Sequence, residues 1–80
     1  MEYNNRIKDL RIDLGKNQKE IADVLKTSQS YYSEYELGKR QLPISHLITL
    51  CQYYKVSADY ILGLPDDLEW PRKGKDLRML

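Results

Sequence analysis

The chain has 80 residues, enough for one domain around one small core. Hydrophobic residues make up 41% of it, and 13 Lys and Arg stand against 12 acids for a net charge of +1. That composition excludes a disordered chain, and the near balance argues against a binder that acts on polyanions by bulk charge alone. No apolar run reaches the ~18 residues of a membrane helix. The start Met1-Glu2-Tyr3-Asn4-Asn5 lacks signal-peptide character, and the single Cys cannot close an internal disulfide, so a cytoplasmic protein is expected. Cys51 lies inside the apolar run Leu47 to Tyr54 and reads as core filler rather than as a nucleophile. With no Phe present, the seven Tyr residues must supply much of the bulky packing.

Five short helices can be read in chain order. The first runs from about Asn5 to Leu14, with Ile7, Leu10 and Leu14 as its apolar stripe and Gly15 as its stop. Asn17 caps a second, Gln18 to Leu25, in which Ile21, Ala22 and Leu25 share a face. After the brief break Lys26-Thr27, Ser28 caps a third, Gln29 to Leu37, ended by Gly38. Lys39-Arg40-Gln41-Leu42 is a basic loop, and Pro43 suits the opening turn of a fourth helix, Ile44 to Tyr54, with Leu47, Leu50, Cys51 and Tyr54 inward. Ser57 caps a fifth, Ala58 to Leu62, which Gly63 ends. No segment alternates as a strand would, so the fold is expected to be all-α, with one domain over residues 1–63.

Residues 64–80 differ in texture, with two prolines, a glycine, four acids and four bases. They read as a C-terminal tail, partly ordered or engaged with a partner. Leu68, Trp70, Leu77, Met79 and Leu80 would pack back on the domain or meet a second subunit; a frayed end is the alternative.

Residues 17–37 carry the functional signal. Two helices joined by so short a turn cross steeply, which needs a small residue where their backbones meet, and Ala22 stands there. Wound at about 100° per residue, the third helix places Ser28, Tyr31, Tyr32 and Tyr35 on one side and Gln29, Ser30, Ser33 and Glu34 on the other. That outer face consists of short or amide-bearing hydrogen-bonding groups. Gln can bind adenine bidentately, Ser can donate or accept, and Glu can accept from cytosine N4. A merely solvated polar face would satisfy the same composition.

At NQKEIADVLKTSQSYYSEYELGKRQLP the chain resembles the helix-turn-helix of the lambda-repressor/Cro (XRE-type) family. The likeness extends over about Arg6 to Leu64, through RIKDLR in the first helix, YELGKR closing the third and VSADYILGL at the end. It implies a five-helix domain that binds double-stranded operator DNA as a homodimer, with the third helix in the major groove and half-sites about 34 Å apart. By position, Gln29, Ser30 and Glu34 match base-reading residues, bordered by Ser33 and Tyr31. Asn17 and Gln18 match phosphate contacts at a helix N-terminus, where free N–H groups attract anions. Ser28 could add a phosphate bond, and Lys39 and Arg40 resemble the family's basic loop. Arg11 and Glu36 match an ion pair tying the first helix to the third, with Arg11 also facing phosphate. Three departures stand out. Lys26 occupies a turn position usually held by Gly, which implies a left-handed backbone strained by roughly 1–2 kcal/mol. Tyr32 replaces the usual Ile or Val and needs a partner for its hydroxyl. Glu34, an acid facing a polyanion, leaves three roles open: accepting from cytosine, excluding other bases, or pairing with a nearby Lys.

Other functions find less support. His46 is the only His and has no metal-ligand pattern around it, which reads as a surface or dimer-interface residue. No phosphate loop or nucleophile arrangement is visible, so no enzyme activity, metal or cofactor is expected. The expectation is a transcription regulator, a repressor on a palindromic operator, without a small-molecule effector. A protein-interaction or antitoxin-type module using the tail is the alternative.

Overall fold

The computed structural model describes residues 2–64, and over them the chain forms five helices and no strand. These are α1 (Glu2–Asp13), α2 (Gln18–Val24), α3 (Gln29–Leu37), α4 (Ile44–Tyr54) and α5 (Ala58–Leu62). The tail beyond Leu64, with Leu68, Trp70, Leu77, Met79 and Leu80, lies outside the described residues.

Local chemistry accounts for most of the boundaries. Asn17 accepts from the Glu20 N–H at 2.8 Å while Glu20 accepts from the Asn17 N–H at 2.8 Å, a reciprocal capping box that opens α2. Ser28 and Ser57 cap α3 and α5 by accepting from the Tyr31 and Tyr60 N–H groups, each at 3.1 Å. Every helix ends on a left-handed residue, at Gly15, Lys26, Gly38, Lys55 and Gly63. At the turn, Thr27 N–H donates to the Ala22 carbonyl at 2.9 Å and Lys26 N–H to that of Asp23 at 3.1 Å. This paired bonding satisfies two carbonyls that would otherwise be orphaned. The strained turn expected at Lys26 is present, with φ 58°. Lys55 adopts the same conformation at φ 59°, which nothing in the sequence had marked.

The first helix departs from the sequence expectation at both ends. It begins at Glu2, not Asn5, because Tyr3 and Asn4 find tertiary partners. The Tyr3 hydroxyl accepts from the Leu42 N–H at 3.0 Å, and Asn4 Nδ2 donates to the Glu36 carbonyl at 3.0 Å. It stops at Asp13, so Leu14 falls in the turn and is 52% exposed instead of completing the stripe with Ile7 and Leu10.

Ile7, Ile21, Ala22, Leu25, Tyr32, Tyr35, Leu50 and Ile61 form the buried core, drawn from all five helices. Tyrosine carries the bulk as expected: Tyr32 and Tyr35 are fully buried, with Tyr3, Tyr53 and Tyr54 packed at the edge. The rings of Tyr32 and Tyr35 meet edge to face with centroids 6.1 Å apart, a geometry favoured by the aromatic quadrupole. Ala22 is 1% exposed, so a larger side chain there would force α2 and α3 apart.

Candidate nucleic-acid interface

The interface is built on a buried carboxylate. Glu36, in the last turn of α3, accepts from Arg11 Nε at 2.7 Å and Arg11 Nη2 at 3.0 Å. It also accepts from Gln18 Nε2 at 3.0 Å and the Tyr32 hydroxyl at 2.5 Å. One acid therefore joins α1, the start of α2 and α3. Burial disfavours the Glu36 carboxylate, but the hydrogen bonds from Arg11, Tyr32 and Gln18 outweigh it and hold its pKa below the usual Glu value. The hydrogen bond to Glu36 raises the Arg11 pKa in turn, so the pair is ionised throughout the neutral range. Tyr32 thus has the hydroxyl partner its size demanded; burial first, then Glu36, pushes its phenol well above the usual range.

This hub sorts the residues expected at phosphate. Arg11 commits its remaining nitrogen, Nη1, to the Lys16 carbonyl at 3.0 Å, so its role in the free chain is structural. Gln18 is oriented by Glu36 at the N-terminus of α2, and Asn17 is engaged in the cap beside it. Lys39 is exposed just past α3.

The outer face of α3 faces open space. Gln18, Gln29, Ser30, Ser33, Glu34 and Lys39 line one open depression of about 380 Å³, together with Leu37. Gln29 and Ser30 are exposed and Ser33 half-buried, all on the N-terminal half of α3. Leu37 is 62% exposed at the rim, and sequence reasoning assigned it no role in this surface. Gly38 ends the helix at φ 77°, and a Cβ there would meet the Asn4 side chain at 3.6 Å.

Glu34 finds its cation in Arg40, not in a Lys. Arg40 Nε and Nη2 lie 2.9 and 2.8 Å from Glu34 Oε1. The guanidinium lies 4.0 Å above the centre of the Tyr31 ring, and Nη1 donates to the Tyr31 hydroxyl at 3.3 Å. The Glu34 hydrogen bond raises the Arg40 pKa above its usual value. Tyr31 meets Tyr35 edge to face at 5.7 Å, and the Tyr35 hydroxyl lies 3.0 Å from His46 Nδ1. His46 is accordingly half-buried against α3. Among the described residues no group of three His, Cys, Asp or Glu side chains could hold a metal ion, and no helix is long and apolar enough to cross a membrane.

Comparison with known proteins agrees with this geometry. Residues 4–66 match the helix-turn-helix domain family. The chain belongs to that family. It is an XRE-like helix-turn-helix domain, as residues 17–37 led us to expect. Relatives in Bacillus subtilis (strain 168) include the uncharacterized HTH-type transcriptional regulator YobD, 33% identical over 76 residues, covering 95% of this chain and 68% of that protein. Another is the HTH-type transcriptional regulator ImmR, 36% identical over 63 residues, covering 79% of this chain and 50% of that protein. The helix-turn-helix chain thus spans about two thirds of one relative and half of the other. No solved structure matches it.

Proposed function

We propose that the protein is a sequence-specific, DNA-binding transcription regulator acting in the cytoplasm, a repressor that binds a palindromic operator as a homodimer. The observation that carries the reading is the outer face of α3, where Gln29, Ser30 and Ser33 share one open depression with Gln18 and Lys39. Side chains able to read base edges stand beside groups able to hold phosphate, on a helix whose inner face is locked by Glu36. The two relatives, both named as HTH-type transcriptional regulators, support the regulatory role. In this reading Gln29 and Ser30 read bases, with Ser33 bordering them. Asn17, Gln18, Ser28 and Lys39 hold the DNA backbone, and Arg11 with Glu36 keeps the two helices in register.

Dimeric binding has its own support. Ile44 and Ile48 stand one turn apart on α4 and are 74% and 52% exposed, an apolar pair that a second copy would cover. Selection of bound sequences from random duplexes at several salt concentrations tests the proposal. A palindromic winner is expected, its preference over other sequences persisting as salt rises. Binding that ignores sequence and simply falls with salt would refute it.

A further inference from the structure

Arg40 lies in the loop after α3, yet its guanidinium reaches back over residues 31 and 34 of that helix. We propose that Arg40 is a specificity-determining residue that reads a guanine, and that Glu34 and Tyr31 are the positioning residues that aim it. This rests on the reading of α3 as the groove-facing helix.

The donor arithmetic supports a reader. A guanidinium carries five N–H donors. Nε donates one to Glu34 Oε1 and Nη1 donates one to the Tyr31 hydroxyl, while Nη2 makes the closest approach of the ion pair, 2.8 Å from Glu34 Oε1. At least one N–H is left on each terminal nitrogen. A guanidinium that keeps an N–H on each terminal nitrogen can present the pair which guanine O6 and N7 accept in the major groove. The Arg40 side chain is 42% and that of Glu34 39% exposed, so the cluster remains accessible to a ligand.

Electrostatics points the same way. Beside Glu34 the cation adds almost no net charge, so it contributes little to sequence-independent attraction. A phosphate contact needs only a point charge, which a free Lys or Arg supplies better. A neutralised, stacked and hydrogen-bonded fork has lost charge and gained direction, and direction serves base reading. The side-chain freedom lost on reading is also already spent in the free protein. Glu34 then explains itself: an acid tolerable beside DNA because it is occupied by Arg40.

The test uses the full chain and duplexes carrying each of the four base pairs at every position of the selected operator, titrated at several salt concentrations. Arg40→Lys keeps the charge and loses the fork. It should lose a preference for G·C at one base pair by roughly 5- to 100-fold while the salt dependence stays as in the parent. Glu34→Gln releases the guanidinium and adds one positive charge. It should weaken the preference at the same base pair, tighten binding to all duplexes and steepen the salt dependence. Uniform weakening by Arg40→Lys at every sequence overturns the inference and makes Arg40 a phosphate contact. So does an effect of Glu34→Gln at a different base pair, which would make Glu34 a reader itself. In both cases Gln29→Ala still relaxes its own position, and the general reading survives. Absence of any preferred duplex for the parent protein overturns both.

Discussion

Glu36→Gln is the substitution that most directly probes what holds the interface in place. The Glu36 side chain is 3% exposed and that of Arg11 13%, so neither ion can recover its hydration if the other is removed. In the parent, Glu36 accepts from Arg11, Tyr32 and Gln18 together. The amide leaves Arg11 without a counter-charge and places an N–H₂ group among groups that are themselves donors. Stranding one member of a buried pair costs about 3–5 kcal/mol. A fold of this size is stable by roughly 3–9 kcal/mol, so the variant should lose from about a third of its stability to all of it. The melting temperature should fall by about 12–40 °C, given ~4–8 °C per kcal/mol in so small a domain. Urea titration followed by helical circular dichroism measures the free-energy loss, and a thermal melt by the same signal the shift in melting temperature. Combining Arg11→Met with Glu36→Gln removes the stranded cation, so the double variant should lose less than the two single losses added together. A loss below about 1 kcal/mol for Glu36→Gln, or simple additivity in the cycle, would refute the hub as described.

The same carboxylate sets an acid limit. Its folded pKa lies below the usual 4.5, so its contribution is complete above that value and disappears as pH falls through the folded pKa. Stability should be level near neutrality and decline below about pH 4.5, and the Glu36→Gln variant should lack that part of the decline. At the alkaline end, burial raises the Tyr32, Tyr35 and Tyr54 phenols above the usual 10.0. The folded state keeps protons that the unfolded chain releases, so stability should hold up to about pH 10 and fall beyond it. Lys26→Gly should relieve left-handed strain at the helix-turn-helix corner and stabilise by roughly 0.5–1 kcal/mol in thermal melts, after the entropy cost of Gly; destabilisation would show that Lys26 is not strained. Lys39→Ala should weaken all duplexes alike and reduce the salt slope by about 1, whereas a base-specific loss would contradict a phosphate role.

Much of this was legible because local chemistry dominates short helices. Asn17, Ser28 and Ser57 act at the caps where they were expected, and Gly15, Gly38 and Gly63 at the stops. Ala22 and Tyr32 are buried at the junction as the corner requires. The early start of α1 was not legible. It depends on Tyr3 reaching the Leu42 backbone and Asn4 reaching Glu36, contacts between residues more than 30 apart in the chain. The left-handed Lys55 was missed for a different reason: only Gly advertises that conformation, and Lys55 accepts it where α4 must turn into α5. Arg40 and Glu34 were each noticed, but as separate contacts. A six-residue separation across a helix end says nothing about a side chain folding back along the helix. Tyr31 was the available signal, since an exposed aromatic ring near a basic loop offers a cation somewhere to stack.

The central claim is that the outer face of α3 meets base edges, and Gln29→Ala tests it most directly. Gln29 is exposed and lies away from the hub, so the variant should fold as the parent does. Its affinity should be measured against the selected operator and against every single-base substitution of it. The account predicts that preference relaxes at one operator position, by about 1–3 kcal/mol, while discrimination elsewhere is retained. Equal losses on every duplex, with no position relaxed, would contradict it.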